Sequence, residues 1–203
     1  IASLRLIFDA EMFQEPDQPG MPGPVEQYDR FDPPKRLFFM KARMYGLPVA
    51  VLHDYADTKA TMRVRLASLV NVVDIKGDQL SRTETVTLLN DMCFFAPSLL
   101  GDARLEWLPI DDISASVTFT NGPHRVGAKL LFNAAGELVN FVSEDRGALQ
   151  DDGSLRVLRW STPMRNYKDF DGRRYSTQGD AIWHYPEGDF VYGRMELAGI
   201  KAQ

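Results

Sequence analysis

The chain has 203 residues, of which 44% are hydrophobic and 25% charged, with a formal net charge of −5. This is the composition of an ordinary folded protein and argues against extended disorder. The negative charge argues against nucleic acid as a partner, because such binding needs Lys and Arg to displace counterions from phosphates. We expect one domain over residues 1–203.

Three features of the chain bear on disulfide formation, membrane contact and cellular location. The single cysteine, Cys93, cannot form an intramolecular disulfide, and no run of about eighteen apolar residues predicts a membrane-spanning helix. The chain begins at Ile1 rather than Met, so we expect a missing upstream segment, the only expected route to membrane contact. Exported, periplasmic and cytoplasmic locations all stay open, as does the oligomeric state.

The first third of the chain predicts strands separated by one long loop. Leu4–Phe13 has partial alternation of apolar and polar residues, which indicates a strand. Residues 14–35 contain six prolines and two glycines, which predict a Pro/Gly-rich surface loop. A meander of strands is then predicted at Arg36–Tyr45, Leu47–Tyr55, Ala60–Ser68 and Leu69–Lys76.

The hydrophobic period becomes helical between Ser81 and Ala96. Ser81 and Glu84 match a capping box, in which each side chain binds a backbone N–H at the start of a helix. Pro97 predicts the end of the helix, because the residue before a proline is disfavoured in the α region. Cys93 falls on the apolar stripe and is interpreted as a core residue, not a nucleophile.

The rest of the chain predicts strands almost throughout. They are predicted at Arg104–Leu108, Ser114–Thr120, Arg125–Asn133, Leu138–Ser143, Leu155–Ser161, Asp180–His184 and Phe190–Ile200. The fold class expected from this order is mainly β (α+β), with a curved antiparallel sheet or half-barrel. The one central amphipathic helix is expected on the concave face of the sheet.

No motif of a common enzyme or metal site is present. The three histidines lack the paired spacing of zinc ligands, so no metal site is predicted. Because the nucleophile-elbow, phosphate-loop and dinucleotide-binding patterns are also missing, we predict no cofactor and assign no catalytic residue.

Aromatic, Met and Arg side chains favour a binding site. If the helix covers only part of the concave face, some of these side chains would line a cavity for an apolar or lipid-like small molecule. The guanidinium groups of Arg146 and Arg159 then suit an anionic headgroup at its mouth, the alternative being structural ion pairs. The predicted ligand-binding residues are Met92, Phe95, Trp107, Arg146, Arg159, Trp160 and Trp183.

A polar stripe on the helix supports an alternative, hydrolase-like site formed by Glu84, Asn90 and Asp91. Glu84 and Asp91 are separated by about 10.5 Å along the helix axis, which is too far for direct acid–base cooperation. The alternative, purely structural interpretation of this polar stripe is a hydrated or hydrogen-bonded helix face. A third hypothesis is a structural or protein-interaction module, which an exposed apolar patch without a cavity would favour.

Three segments together resemble an uncharacterised bacterial family of unknown function: Arg36–Tyr55, Glu84–Pro97 and Arg159–Pro163. This resemblance extends from about Lys35 to the C-terminus and implies no activity. The order of elements is also similar to the β half-barrels of periplasmic lipoprotein carriers, which hold acyl chains in a concave face. The second resemblance implies a non-enzymatic, lipid-binding domain, and it transfers no functional residue.

Overall fold

One antiparallel sheet runs through the computed structural model, which describes residues 3–202. Its strands are β1 (Ser3–Met12), β2 (Met21–Phe31), β3 (Pro34–Met44), β4 (Leu47–Ala56), β5 (Lys59–Leu66), β6 (Val70–Lys76), β7 (Leu105–Asp111), β8 (Ser114–Asn121), β9 (His124–Phe132), β10 (Leu138–Leu149), β11 (Leu155–Ser161), β12 (Met164–Phe170), β13 (Arg173–Tyr185) and β14 (Gly188–Ala202). Helix α1 (Asp78–Phe95) and a short 3-10 helix (Pro97–Leu99) separate β6 from β7.

The sheet consists of two antiparallel halves, β1 to β6 and β7 to β14, which are joined where β1 pairs with β14. Its strand order is β6-β5-β4-β3-β2-β1-β14-β13-β11-β10-β9-β8-β7, and β12 pairs with β13 away from this path. The two edge strands, β6 and β7, are connected in the chain through α1. The mainly β fold with one helix and a curved half-barrel sheet is confirmed, whereas the single-domain assignment stays a prediction.

The predicted loop over residues 14–35 is wrong for most of its length, because β2 occupies Met21–Phe31 and β3 begins at Pro34. Pro22 and Pro24 pair with β1 but precede Val25, where pairing with β3 begins. That stretch of β2 is therefore an edge, where prolines are tolerated in strands.

The predicted helix start is also wrong. Helix α1 begins at Asp78, with Gly77 as its N-cap and no capping side chain. The Ser81 hydroxyl donates to the Gly77 carbonyl at 2.8 Å and accepts from the Ala60 amide at 2.9 Å, so it ties the helix to β5. The Glu84 side chain makes no capping hydrogen bond. The φ of +127° at Gly77 is one that glycine adopts without steric cost.

Helix α1 is buried on almost every side. It ends at Phe95, ahead of Pro97, as predicted. Cys93 is buried as predicted, and burial raises the pKa of its thiol, with a further contribution from the Asp91 charge. The buried apolar side chains of α1 are Leu80, Val86, Leu88, Leu89, Met92, Cys93, Phe94 and Phe95.

The two halves of the sheet meet through α1 and near the β4–β5 turn. The Tyr55 hydroxyl, on β4, lies 2.9 Å from the Thr85 hydroxyl of α1 and accepts from the Asn121 amide of β8 at 2.6 Å. Nearby, His124 Nε2 lies 3.0 Å from the carbonyl oxygen of Thr58. We infer that α1 lies on the concave side, because one helix can contact strands so distant in the sheet order only there.

Replacing the Tyr55 hydroxyl tests this closure. We expect Tyr55→Phe to lower the free energy of unfolding by about 1–3 kcal/mol, since it leaves the buried Asn121 amide and Thr85 hydroxyl without their shared partner. Urea denaturation measures the change. The matched control is Tyr45→Phe, at a residue that is 95% exposed, and it should have no effect. Equal stability of both variants would contradict the assignment.

Candidate functional site: a methionine-lined cavity with two buried arginines

A cavity of about 1100 Å³ is bordered by α1 and by strands from both halves of the sheet. Seven of the eight methionines in the chain line it, and Met92 is the exception. Methionine is flexible and polarizable, so these walls can adapt to an occupant. The methionines that line the cavity are Met12, Met21, Met40, Met44, Met62, Met164 and Met195.

A buried guanidinium group, Arg36 on β3, holds α1 against the sheet. Its Nε donates to Asp91 Oδ2 at 2.8 Å and its Nη1 to Glu84 Oε2 at 3.0 Å. Its Nη2 donates to Gln27 Oε1 on β2 at 2.9 Å. One side chain therefore bridges two carboxylates that lie about two turns apart on the helix. We call these four residues the Arg36 cluster.

Glu84 has a second partner in His53 on β4. The Nδ1 atom of His53 lies 3.0 Å from Glu84 Oε1. Burial by itself would raise the pKa of Glu84, but the charge and hydrogen bond of His53 and the Arg36 guanidinium outweigh it and lower the pKa to about 2. Glu84 is therefore a carboxylate at neutral pH and has no proton to supply as a general acid.

Asp29 is a further buried acid beside the Arg36 cluster. The Gln27 amide donates both to Asp29 Oδ2 at 2.8 Å and to Asp91 Oδ2 at 2.9 Å. Burial raises the pKa of Asp29 well above its usual value, and the Asp91 charge adds to this effect. Burial also raises the pKa of Asp91, although Arg36 opposes it. The carboxyl groups therefore repel one another in a buried space, and the Arg36 guanidinium offsets this repulsion.

A second buried arginine, Arg146 on β10, lines the same cavity. Its Nε donates to the Thr87 hydroxyl at 3.2 Å and its Nη1 to the Tyr192 hydroxyl at 2.9 Å. Its guanidinium carbon lies 4.3 Å from the ring centroid of Trp160 and 5.0 Å from that of Trp183. Aromatic faces stabilise such a cation through their quadrupoles. Arg146 is thus held between α1 and aromatic rings of β11 and β13, in its own half of the sheet.

Most of the predicted site residues lie at this one cavity. Of the predicted ligand-binding residues, Phe95, Arg146, Trp160 and Trp183 line it. The alternative polar residues Glu84, Asn90 and Asp91 line it too. The two sites that the sequence keeps apart are therefore parts of one cavity, and their roles stay predictions.

Three predicted ligand-binding residues do not line the cavity. Met92 is fully buried in the core. Trp107 is 39% exposed on the edge strand β7, where its Nε1 donates to the Leu100 carbonyl at 3.0 Å. Arg159 lies beside Trp160 on β11 and is exposed, since neighbouring residues of a strand point to opposite faces of the sheet.

The sequence-based prediction missed Gln27, Arg36 and His53 as cavity residues. A signal existed for Arg36, because it shares one face of β3 with Phe38 and Met40, and a charged residue on an apolar strand face needs a buried partner. Gln27 and His53 carry no comparable local signal.

A serine, a histidine and an aspartate form a hydrogen-bonded chain at the edge of the cavity, which Asp189 lines and Ser161 and His184 do not. Ser161 Oγ lies 2.8 Å from His184 Nε2, and His184 Nδ1 lies 2.6 Å from Asp189 Oδ1. The order is that of a Ser-His-Asp triad. However, Ser161 is only 3% exposed, and its neighbours Trp160 and Thr162 line the cavity where it does not. We therefore assign no nucleophile here.

Within residues 3–202, no group of three or more His, Cys, Asp and Glu side chains is placed to hold a metal ion. The same range contains no helix with the length and apolar character needed to cross a membrane.

The curved antiparallel sheet and helix α1, with the cavity between them, form a half-barrel. A LolA superfamily protein from Nitrosomonas europaea is similar with a TM-score of 0.51 and 10% identity, over 99% of this chain and 86% of that one. A DUF1329 family protein from Desulfovibrio piger gives a TM-score of 0.45 and 11% identity, over 99% and 85% of the two chains. At such identities the first likeness concerns the fold alone, and the second is too slight to argue from.

The chain belongs to a family of unknown function, DUF6544, whose model matches residues 1–195. No curated protein matches it. Both resemblances predicted from the sequence, to an uncharacterised family and to the lipoprotein-carrier half-barrel, are confirmed.

The buried carboxylate of Glu84 predicts a specific dependence of stability on pH. Because its pKa is lower in the folded state than the usual 4.5, it stabilises the fold above about pH 4.5, and this contribution is lost as the pH falls to about 2. The difference corresponds to roughly 3 kcal/mol. We expect Glu84→Gln to be less stable at neutral pH and to lose less further stability across this window.

Urea denaturation at a series of pH values measures this effect. The matched control is Glu144→Gln, at a side chain that is 71% exposed, and it should keep the pH dependence of the unsubstituted protein. If the free energy of unfolding of Glu84→Gln changes with pH as much as that of the unsubstituted protein, the Arg36 cluster does not contribute as described.

Proposed function

We propose that this protein is a non-enzymatic binding domain that holds an apolar or lipid-like molecule in its methionine-lined cavity. The observation that carries the proposal is the cavity itself, with a volume of about 1100 Å³. Protein interiors are otherwise packed as densely as organic crystals, and ligand pockets have volumes of about 300–1,000 Å³. A cavity of this size between the helix and the sheet, partly open to solvent and lined largely by apolar side chains, is best explained by an occupant.

The composition of the walls supports an extended, flexible ligand. The lining methionines lie on strands from β1 to β14. The rings of Phe95 on α1, Trp160 on β11 and Trp183 on β13 also line the cavity. Unbranched thioether side chains adjust their rotamers to fill irregular gaps. Such walls suit alkyl chains of varied length better than one rigid molecule.

The fold gives weaker support for the same function. A half-barrel like that of the LolA superfamily suits a carrier of apolar molecules, and the resemblance to lipoprotein carriers agrees with export from the cytoplasm. Fold likeness alone does not establish function, so the cavity remains the main argument.

Filling the cavity tests the proposal. We expect the unsubstituted protein to bind laurate and Val51→Trp to bind it about five- to hundred-fold more weakly, because the larger side chain occupies ligand space at a cost of about 1–3 kcal/mol. Val51 lies between Met40 and Val64 across β3 to β5 and lines the cavity. Isothermal titration calorimetry gives both dissociation constants.

The matched control is Val157→Trp on β11, at a residue that is 49% exposed and away from the cavity. It should bind laurate as the unsubstituted protein does. Native mass spectrometry, followed by denaturation and extraction, identifies any molecule that co-purifies. An apo mass together with no laurate binding would remove the proposal.

One observation favours a second function, hydrolysis of an ester ligand. His53 lines the cavity with its Nδ1 against Glu84, while its Nε2 has no hydrogen-bond partner among residues 3–202. A carboxylate that orients an imidazole is the arrangement of a general base. We expect any hydrolysis of a nitrophenyl laurate ester to fall to the buffer rate in His53→Gln. Equal rates with unsubstituted protein, variant and buffer would exclude this function.

A further inference from the structure

The two buried arginines of the cavity differ in how their charge is balanced. Arg36 has three carboxyl groups within 4.0 Å, those of Asp29, Glu84 and Asp91. Arg146 is similarly buried and forms no ion pair within that distance among the described residues. The same cavity therefore contains one compensated cation and one that lacks an anionic partner.

Arg146 also has hydrogen-bond donors to spare. A guanidinium group has five N–H donors in a planar fork. Two are engaged, one with the Thr87 hydroxyl and one with the Tyr192 hydroxyl. The Nη2 atom donates to no group within residues 3–202, and Arg146 borders the cavity. Three donors therefore stay available, two on Nη2 and one on Nη1, and a carboxylate is the acceptor that arginine binds most strongly.

The groups around Arg146 orient the cation and do not neutralise it. The rings of Trp160, Trp183 and Tyr192 lie 4.3, 5.0 and 6.0 Å from its guanidinium carbon. Aromatic faces attract a cation but carry no net charge. Glu84 lowers the electrostatic energy of Arg146 at longer range, yet the oxygens of Glu84 are already bound by Arg36 and His53.

We propose that Arg146 binds the carboxylate of a fatty-acid-like amphiphile whose alkyl chain lies along the methionine-lined walls. The inference rests on the proposed function and deepens it by naming the ligand class. A buried charge without a partner is costly, and a bound monoanion would complete the site with a charge equal and opposite to that of Arg146. The planar fork also selects for the planar carboxylate group.

The proposed geometry places the headgroup inside the cavity. Thr87 on α1 and Tyr192 on β14 each hold one nitrogen of the guanidinium group, so the direction of its remaining donors is defined. Arg159, the other arginine that the sequence predicts for a headgroup, is half exposed and does not border the cavity. The alkyl chain is then left to contact the apolar walls, where burial of each methylene adds affinity.

Two ligands that differ only in the headgroup test the inference. Laurate and dodecanol are titrated into the unsubstituted protein, Arg146→Met and the matched control Arg159→Met at mildly alkaline pH. We expect Arg146→Met to bind laurate at least about tenfold more weakly, as the loss of a charge-assisted hydrogen bond requires, and to bind dodecanol as before. Arg159→Met should bind both ligands as the unsubstituted protein does.

The outcomes separate this inference from the proposed function. Equal laurate affinity in Arg146→Met and the unsubstituted protein would overturn the role of Arg146 while leaving the apolar site intact. If the unsubstituted protein binds neither laurate nor dodecanol, both the role of Arg146 and the proposed function are overturned. If Arg146→Met does not fold, the preference of the unsubstituted protein for laurate over dodecanol and the weaker laurate binding of Arg146→Lys decide the question.

Discussion

The cavity depends on the ion pairs between Arg36 and the two carboxylates of α1. A buried cation is tolerated only with close, well-directed partners, and Glu84 and Asp91 supply them at 3.0 and 2.8 Å. These contacts set the distance of the helix from the sheet. Apolar residues at the same helix positions would instead favour close packing against the strands, and the space for a ligand would be lost.

The fold was largely predictable because strand alternation and the helical period are local signals. Most strands and the end of α1 follow from them. The failures concern information that the local pattern lacks. The prolines of β2 look incompatible with a strand until one knows that Pro22 and Pro24 precede its pairing with β3. Likewise, the apparent capping box fails because the helix begins at Asp78, so that Ser81 and Glu84 lie inside it, where Glu84 binds Arg36 and His53.

The site was predictable only in part, since it is assembled by strand register. Aromatic and charged residues of the second half, such as Trp160 and Arg146, could be chosen by residue type. Gln27, Arg36 and His53 come together because β2, β3 and β4 pair in one register opposite α1, and no local motif encodes that meeting. The prediction that Arg159 lies at the cavity failed for the same reason, because the sequence does not show which face of β11 points into the cavity.

The polar ties of α1 reach both halves of the sheet and so fix the width of the cavity. Arg36 and His53 hold the helix to β3 and β4, while Asn90 donates to Thr162 at 2.6 Å and Thr87 accepts from Arg146 on the far side. Because these bonds are buried, displacement of the helix would leave charged and polar groups unpaired. The methionine side chains can change rotamer at little cost. Under the proposed function, the methionine side chains would therefore adapt to different alkyl chains, whereas the rigid polar groups would select the ligand by its charge.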